Sequence, residues 1–218
     1  MNIRNLFFIV LLFSVFKITA QEHQFGLKAG GNLAKFTDAS GNDYRFRNRG
    51  DFKFKPGFYA GAFYAFRSGN YQFQPEVLFG LQGSKVVKDD LSVPAFDYYG
   101  NSISSSTYEY KYSIHELSIL VPLMSRFYVT NGLFFEAGPQ FAFIVDRNLQ
   151  SDYQVIEGES DNFIMRDGDS FDAGLNLGVG HHISKPILVN FRTYFGAIKR
   201  ENDIRGIILN LGVEYRIW

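Results

Sequence analysis

Three observations on the 218-residue sequence predict an all-β fold, an eight-stranded antiparallel up-and-down transmembrane β-barrel. Segment after segment sorts apolar and polar residues with a period of two, as a strand with one apolar and one polar face does. The charges within these segments fall on a single face, opposite the aromatic and aliphatic side chains. The connections alternate between long and short, the pattern of a barrel with tight turns at one rim and extended loops at the other.

The segment 207–218 shows the sorting best. Ile207, Leu209, Leu211, Val213, Tyr215 and Ile217 share one register, and Ile208, Asn210, Gly212, Glu214, Arg216 and Trp218 the other. Such a closing strand pairs with the first and presents only apolar side chains to lipid. Composition agrees: aromatics make up 17%, with 24 Phe and 13 Tyr, and there are 21 Gly. Lys plus Arg equals Asp plus Glu at 22 each, so no basic field points to nucleic acid. The absence of Cys excludes disulfides, thiolate metal sites and a Cys nucleophile.

Residues 1–20 read as a signal peptide, cleaved on export, and residues 21–218 as the barrel domain. Arg4 supplies the basic start, Leu6–Phe16 is apolar apart from Ser14, and Thr19-Ala20 is a small-residue cleavage site. The apolar run is too short to cross a bilayer as a helix.

The strands follow in order. The first, about 24–36, sets Phe25, Leu27, Ala29 and Leu33 against Lys28 and Asn32. A polar stretch, 37–56, leads to the second at 57–66, which ends in a tight Arg67-Ser68-Gly69-Asn70 turn. The third, 71–83, alternates Tyr71, Phe73, Val77, Phe79 and Leu81 with Gln72, Gln74, Glu76, Leu78 and Gly80. Pro75 within it lacks a ladder donor and predicts a bulge or distorted pairing. A long polar segment, 84–111, precedes the fourth at about 112–128, which carries Glu116 and Arg126 opposite Leu117, Ile119 and Val121. Asn131-Gly132 marks the next tight turn. The fifth, 133–145, opposes Phe135, Phe141 and Phe143 to Glu136 and Gln140, and an acidic segment, 146–169, follows. The sixth, 170–183, and seventh, 187–197, flank Ser184-Lys185-Pro186 and carry Asp172 and Arg192. A modest loop, 199–205, leads to the closing strand.

The charged face decides between two eight-stranded barrels. It carries Lys28, Glu76, Glu116, Arg126, Glu136, Asp172, Arg192, Glu214 and Arg216. A soluble lipocalin-type barrel would turn its apolar face inward, leaving these charges outside. A membrane barrel turns them into a lumen just wide enough for side chains, where they can pair as a network. The expected location is therefore the outer membrane of a Gram-negative bacterium, in contact with outer-membrane lipid.

Several segments resemble one family. Phe25-Gly26-Leu27-Lys28-Ala29-Gly30-Gly31-Asn32-Leu33, Phe73-Gln74-Pro75-Glu76-Val77-Leu78-Phe79, Val121-Pro122-Leu123 and Gly138-Pro139 occur in the order of the PorT-like outer-membrane β-barrels of Bacteroidetes. The resemblance covers essentially all of the chain after the signal. It implies the barrel fold and the outer membrane, together with an accessory part in protein secretion. It implies no catalytic residue and no cofactor. The terminal Asn210, Gly212, Tyr215, Ile217 and Trp218 resemble the signal read by the barrel-assembly machinery during insertion.

Other candidates for chemistry are weaker. His115, Glu116 and Ser118 are the residue types of a hydrolase triad, but alternation sends His115 to the face opposite Glu116 and Ser118. His181 and His182 diverge as neighbours on a strand, so they form no metal site by themselves. Gly174, Gly178 and Gly180 relieve crowding in a narrow lumen better than they cradle a phosphate. The acidic segment carries Asp146, Asp152, Glu157, Glu159, Asp161, Asp167 and Asp169, and fits a solvated loop better than a calcium loop. Arg45, Arg47 and Arg49 in the first long loop are candidate partners for it. Tyr98 and Tyr99 are candidate loop contacts, while Tyr108, Tyr110 and Tyr112 fit an aromatic girdle. The resulting expectation is a non-enzymatic interaction or scaffold protein. A free-standing surface barrel that binds a ligand or stabilises the envelope is the alternative, and a lipid-modifying enzyme is the outsider.

Overall fold

A computed structural model describes residues 22–38, 51–96, 98–99, 102–151, 170–200 and 204–218. These residues form eight strands: β1 (Glu22–Asp38), β2 (Asp51–Ser68), β3 (Tyr71–Phe96), β4 (Ser102–Tyr128), β5 (Leu133–Ser151), β6 (Phe171–His182), β7 (Ile187–Gly196) and β8 (Ile204–Arg216). Each pairs antiparallel with the next, and β8 pairs back onto β1, giving a closed barrel. Closure leaves no sheet edge along the paired length. The last residues are tied to the first strand: Phe25 N–H donates to Trp218 O at 2.9 Å, and Ile217 N–H to Phe25 O at 2.9 Å.

The two faces invert the pattern of a soluble protein. Phe58, Phe79, Val77, Leu211 and Val213 are exposed on the outside, while Lys28, Glu76, Arg126, Glu136 and Glu214 are buried inside. Only a solvent that prefers hydrocarbon makes this arrangement favourable, because each apolar side chain left in water forfeits about 1.5–3 kcal/mol. Around the rim of the tight turns the outer face becomes aromatic. His23, Tyr64, Phe66 and Phe73 form a row of tilted, edge-to-face and stacked ring contacts, with Tyr64 and Phe66 centroids 4.9 Å apart.

The tight turns lie where the sequence places them, at 69–70, 129–132 and 183–186. Gly69 takes φ +58°, which a glycine adopts without Cβ strain. At the opposite rim the expectations need correction. β2 begins at Asp51, so the polar stretch before residue 57 is partly strand. The polar segment 84–111 is not a loop: β3 and β4 continue as a hairpin to Phe96 and Ser102. Beyond the bilayer neither face must be apolar, so polarity there no longer distinguishes loop from strand. Among the described residues β2 pairs with β3 as far as Val87 and β5 with β4 as far as Tyr112, and the β3–β4 ladder continues past the described ends of both.

Pro75 behaves differently from a bulge. The β2–β3 ladder lapses between the Phe63/Glu76 and Phe66/Phe73 pairs and resumes in the same register. Register shifts occur instead near Phe54/Phe58 and Leu117/Ser118, and within the hairpin.

Candidate functional site

Six charged side chains meet inside the barrel and cancel. Lys28, Arg126 and Arg192 face Glu76, Glu136 and Glu214, all nearly inaccessible to solvent. Arg192 forks onto both glutamates beside it: Nη1 and Nη2 donate to Glu76 at 3.1 and 3.0 Å, and Nε and Nη2 donate to Glu136 at 3.0 Å each. Arg126 donates to Glu214 through Nη1 at 2.9 Å and Nη2 at 2.5 Å, and to Glu136 through Nε at 2.9 Å. Lys28 Nζ lies 3.3 Å from Glu76 and 3.0 Å from Glu214. Planar guanidinium forks suit such bidentate contacts, and the low local dielectric strengthens them.

The hub draws its charges from β1, β3, β4, β5, β7 and β8. The other two strands place a glycine in register with it. Gly61 pairs with Lys28, and Gly178 lies between Glu136 and Arg192. A Cβ on Gly178 would come within 2.9 Å of Glu136 Oε1, and one on Gly61 within 2.7 Å of Leu78 Cα. The missing side chain at Gly178 makes room for the Glu136 ion pairs, and that at Gly61 for the close approach of the β3 backbone.

Polar neighbours extend the hub toward the rim of tight turns. Gln74 accepts from Arg126 at 2.7 Å and donates to Glu76 at 3.0 Å; Gln72 donates to Gln74 at 2.7 Å; Tyr128 donates to Gln72 at 2.9 Å. Asn190 donates to Glu136 at 2.8 Å. Below this chain Tyr128, Phe134 and Leu188 form a buried apolar layer, with the Arg126 guanidinium 4.7 Å above the Phe134 ring. His182 stacks on Tyr128 and lies 2.9 Å from Arg216, so it lines the mouth of the lumen, whereas His181 faces outward. The two histidines thus diverge, as neighbours on a strand do.

A second cluster occupies the other half of the lumen. Glu116 accepts from Arg147 Nε at 2.8 Å and from Arg200 at 2.6 and 3.2 Å. Arg200 comes from the β7–β8 connection and is buried, with its guanidinium 5.2 Å from the Phe36 ring. Asp172 and Tyr194 lie nearby, both bordering Gly206. Above them Phe36, Phe52, Val86, Tyr112, Ile114 and Ile204 form an apolar cluster inside the barrel. Tyr112 therefore belongs to the interior rather than to an aromatic girdle. Between the two clusters a cavity of about 10 Å³ remains beside Tyr59, Leu120, Arg192 and Asn210. It has room for about one water molecule.

The nine charges expected to form one network are thus divided. Six make the hub, Glu116 and Asp172 belong to the second region, and Arg216 sits at the mouth. Alternation should have added Gln72, Gln74, Tyr128 and Asn190, which share the inward register of Glu76, Arg126 and Arg192. Arg200 carries no such signal, because it lies outside the regular strands.

Of the terminal residues, Tyr215, Ile217 and Trp218 are exposed and Gly212 is buried against Tyr59. Trp218 lies beyond the last strand residue, Arg216, rather than on the lumen face. Tyr98 and Tyr99 form the described part of the hairpin tip, 97% and 85% exposed, their rings 5.6 Å apart. Residues 1–20, Arg45, Arg47, Arg49 and the acidic residues 152–169 lie outside the described residues, so the proposed pairing of loops has no structural counterpart here. His115, Glu116 and Ser118 are not brought together: Glu116 and Ser118 point inward, while His115 Nδ1 lies 2.7 Å from Lys55 Nζ. Among the described residues no three His, Asp or Glu side chains converge to hold a metal ion.

A family model described as an outer membrane protein beta-barrel domain matches residues 19–199. Among solved structures, Neisserial surface protein A is 15% identical over 90% of this chain and 99% of its own, with a TM-score of 0.47. OprG from Pseudomonas aeruginosa is 10% identical over 89% and 96%, with a TM-score of 0.45. Ail of Yersinia pestis is 11% identical over 90% and 99%, with a TM-score of 0.41. No curated protein matches the chain.

Proposed function

The chain belongs to the outer membrane protein β-barrel domain family, and from that premise we propose that it is a non-enzymatic scaffold that presents an interaction hairpin at the cell surface. The membership places it in outer-membrane lipid. The observation that carries the scaffold reading is the contrast between a filled lumen and a long β3–β4 hairpin with exposed tyrosines at its tip. Six paired charges and two apolar layers occupy the barrel, so its interior serves rigidity rather than transport. β3 and β4 meanwhile continue past the described ends of β2 and β5, and the described part of their tip holds two exposed tyrosines. Tyrosine offers a rigid amphipathic contact at small entropic cost.

Residues 1–20 act in this proposal as a cleaved signal peptide. The barrel-assembly machinery reads the terminal strand through Asn210, Gly212, Tyr215, Ile217 and Trp218, and Tyr215→Asp then lowers outer-membrane levels. The resemblance to PorT-like barrels of Bacteroidetes supports a secretion component as the partner. A surface ligand is the other class of partner.

Crosslinking and pull-down of the tagged full chain from native outer membranes tests the scaffold reading. A stoichiometric partner that is lost in a Tyr98→Ala, Tyr99→Ala double variant supports it. Recovery of the barrel alone, from native and variant membranes alike, sinks it and favours an envelope-stabilising barrel.

A further inference from the structure

The outer face of the barrel is not uniform around its circumference at the rim opposite the tight turns. On β1 the outward register runs Phe25, Leu27, Ala29, Gly31, Leu33 and then Lys35. On β3 it runs Tyr71, Phe73, Pro75, Val77, Phe79, Leu81, Gly83 and then Lys85. Lys53 on β2 stands directly opposite Lys85, and both are exposed. Lys111 on β4 follows one register step beyond, opposite Val87, and is also exposed. The apolar band therefore ends at a common level in lysines on four adjacent strands. Outward positions toward the same rim on β5, β6 and β7 are Val145, Phe171 and Phe195, and Asp146 beside Val145 is exposed. On β8 the outward register reaches exposed Arg205 opposite Thr37, and Lys199 in the β7–β8 connection is exposed as well. The outward strand cations therefore run from β8 through β1 to β4, and the strand lysines among them lie on β1 to β4.

That level is where lipid headgroups begin. The outward register from Tyr71 to Leu81 rises about 25 Å once strand tilt is included, the height of a barrel's apolar band. Like charges directly opposite on neighbouring strands are destabilising unless a counter-ion lies between them. Asp51 Oδ2 lies 3.2 Å from Lys53 Nζ and serves that side chain. Among the described residues no carboxylate lies within ion-pair distance of Lys35 or Lys85. Lys35 Nζ instead sits 5.8 Å from the centre of the Phe54 ring, which is itself exposed. An aromatic side chain beside a lysine, at the edge of an apolar band, matches a molecule with an acyl portion below and an anionic group above.

We propose that the β1–β4 arc, through Lys35, Lys53 and Lys85 with Phe54 beneath them, binds the phosphate groups of a phosphorylated outer-leaflet glycolipid. The acyl chains lie along the apolar staves of the same four strands, and the phosphates bridge Lys53 and Lys85. The site depends on the outer-membrane placement but not on any protein partner. It can therefore stand if the pull-down returns the barrel alone.

The test uses the refolded full-length barrel in phosphatidylcholine nanodiscs doped with diphosphorylated lipid A. Lipid retained after detergent exchange is counted by native mass spectrometry. The native barrel should retain diphosphorylated lipid A well above its dephosphorylated form and above phosphatidylglycerol. Each lysine near an anionic surface strengthens binding roughly fivefold, so a Lys35→Gln, Lys53→Gln, Lys85→Gln variant should lose at least roughly tenfold in retention. Lys185→Gln, in a turn at the opposite rim, should retain as much as the native barrel. Heat-dependent gel mobility checks that each variant is folded. Equal retention by the triple variant overturns the proposal. So does equal retention of dephosphorylated lipid A by the native barrel, an outcome that needs no variant to fold. Equal retention of phosphatidylglycerol overturns the assignment to a glycolipid.

Discussion

The two charged regions of the lumen are built on different principles. In the hub three cations meet three anions, all from strands, and the charges balance. In the outer region one carboxylate, Glu116, holds two arginines, and one of them arrives from a connection. Strand positions are held by the barrel's own hydrogen-bond ladders, so the hub cannot relax without breaking the sheet. Arg200 lies on a connection, tied to the barrel by its ion pair with Glu116, its ring contact with Phe36 and a backbone bond from its N–H to Ile204 O at 3.1 Å, so the outer region can loosen with less disruption of the strand ladders. Equal burial of two ionic clusters therefore does not mean equal contribution to stability. What matters is whether a charge left alone can reach water.

The largest effect should come from Arg192→Met. It leaves Glu76 and Glu136 without their forked partner in a sealed interior, where removing one member of a buried pair costs about 3–5 kcal/mol. Urea unfolding of the refolded barrel at fixed detergent measures the loss. Glu116→Ala should cost clearly less, about 1–3 kcal/mol, because Arg147 and Arg200 can turn outward. Equal losses from the two variants would remove the distinction drawn between the regions.

Gly178→Ala sharpens the hub side. Its methyl group meets Glu136 Oε1 at 2.9 Å and the Phe191 carbonyl at 2.7 Å, so overpacking should cost about 1–3 kcal/mol. The same change at Gly69 would meet no neighbouring atom, and its loss would come from the positive φ alone.

Arg200→Gln probes the outer side through a different observable. Stability should fall by only about 1 kcal/mol, but trypsin should cut at Lys199 or Arg205 faster than in the native barrel. An unchanged cleavage rate would mean that the ion pair does not hold the β7–β8 connection. The smallest effect should be that of Tyr128→Phe. It removes the hydroxyl's hydrogen bond to Gln72 and its longer contact with His182 Nε2, and keeps the ring under Arg67 and against Phe134, a loss of about 1 kcal/mol.

Much of this fold can be read from the residues because alternation is a local property. Which way Glu76 or Arg126 points follows from its parity within one strand, and the tight turns announce themselves through Gly69-Asn70 and Asn131-Gly132. The extension of β3 and β4 was hidden for the complementary reason. Outside the bilayer no face has to be apolar, so Ser84 to Lys111 looks like a loop while its backbone forms a ladder.

Sequence alone determined that nine charges belong on one face of an eight-stranded cylinder, since lipid on the outside permits no other sorting. It did not determine which of them meet. Lys28 reaches Glu214 on the strand that closes the ring, and Arg192 reaches Glu76 from a distant part of the chain. Those pairings depend on the tilt and stagger with which the sheet closes, a property of all eight strands together. Arg200 lies on no strand, so only the closed barrel reveals that it returns to the lumen to meet Glu116.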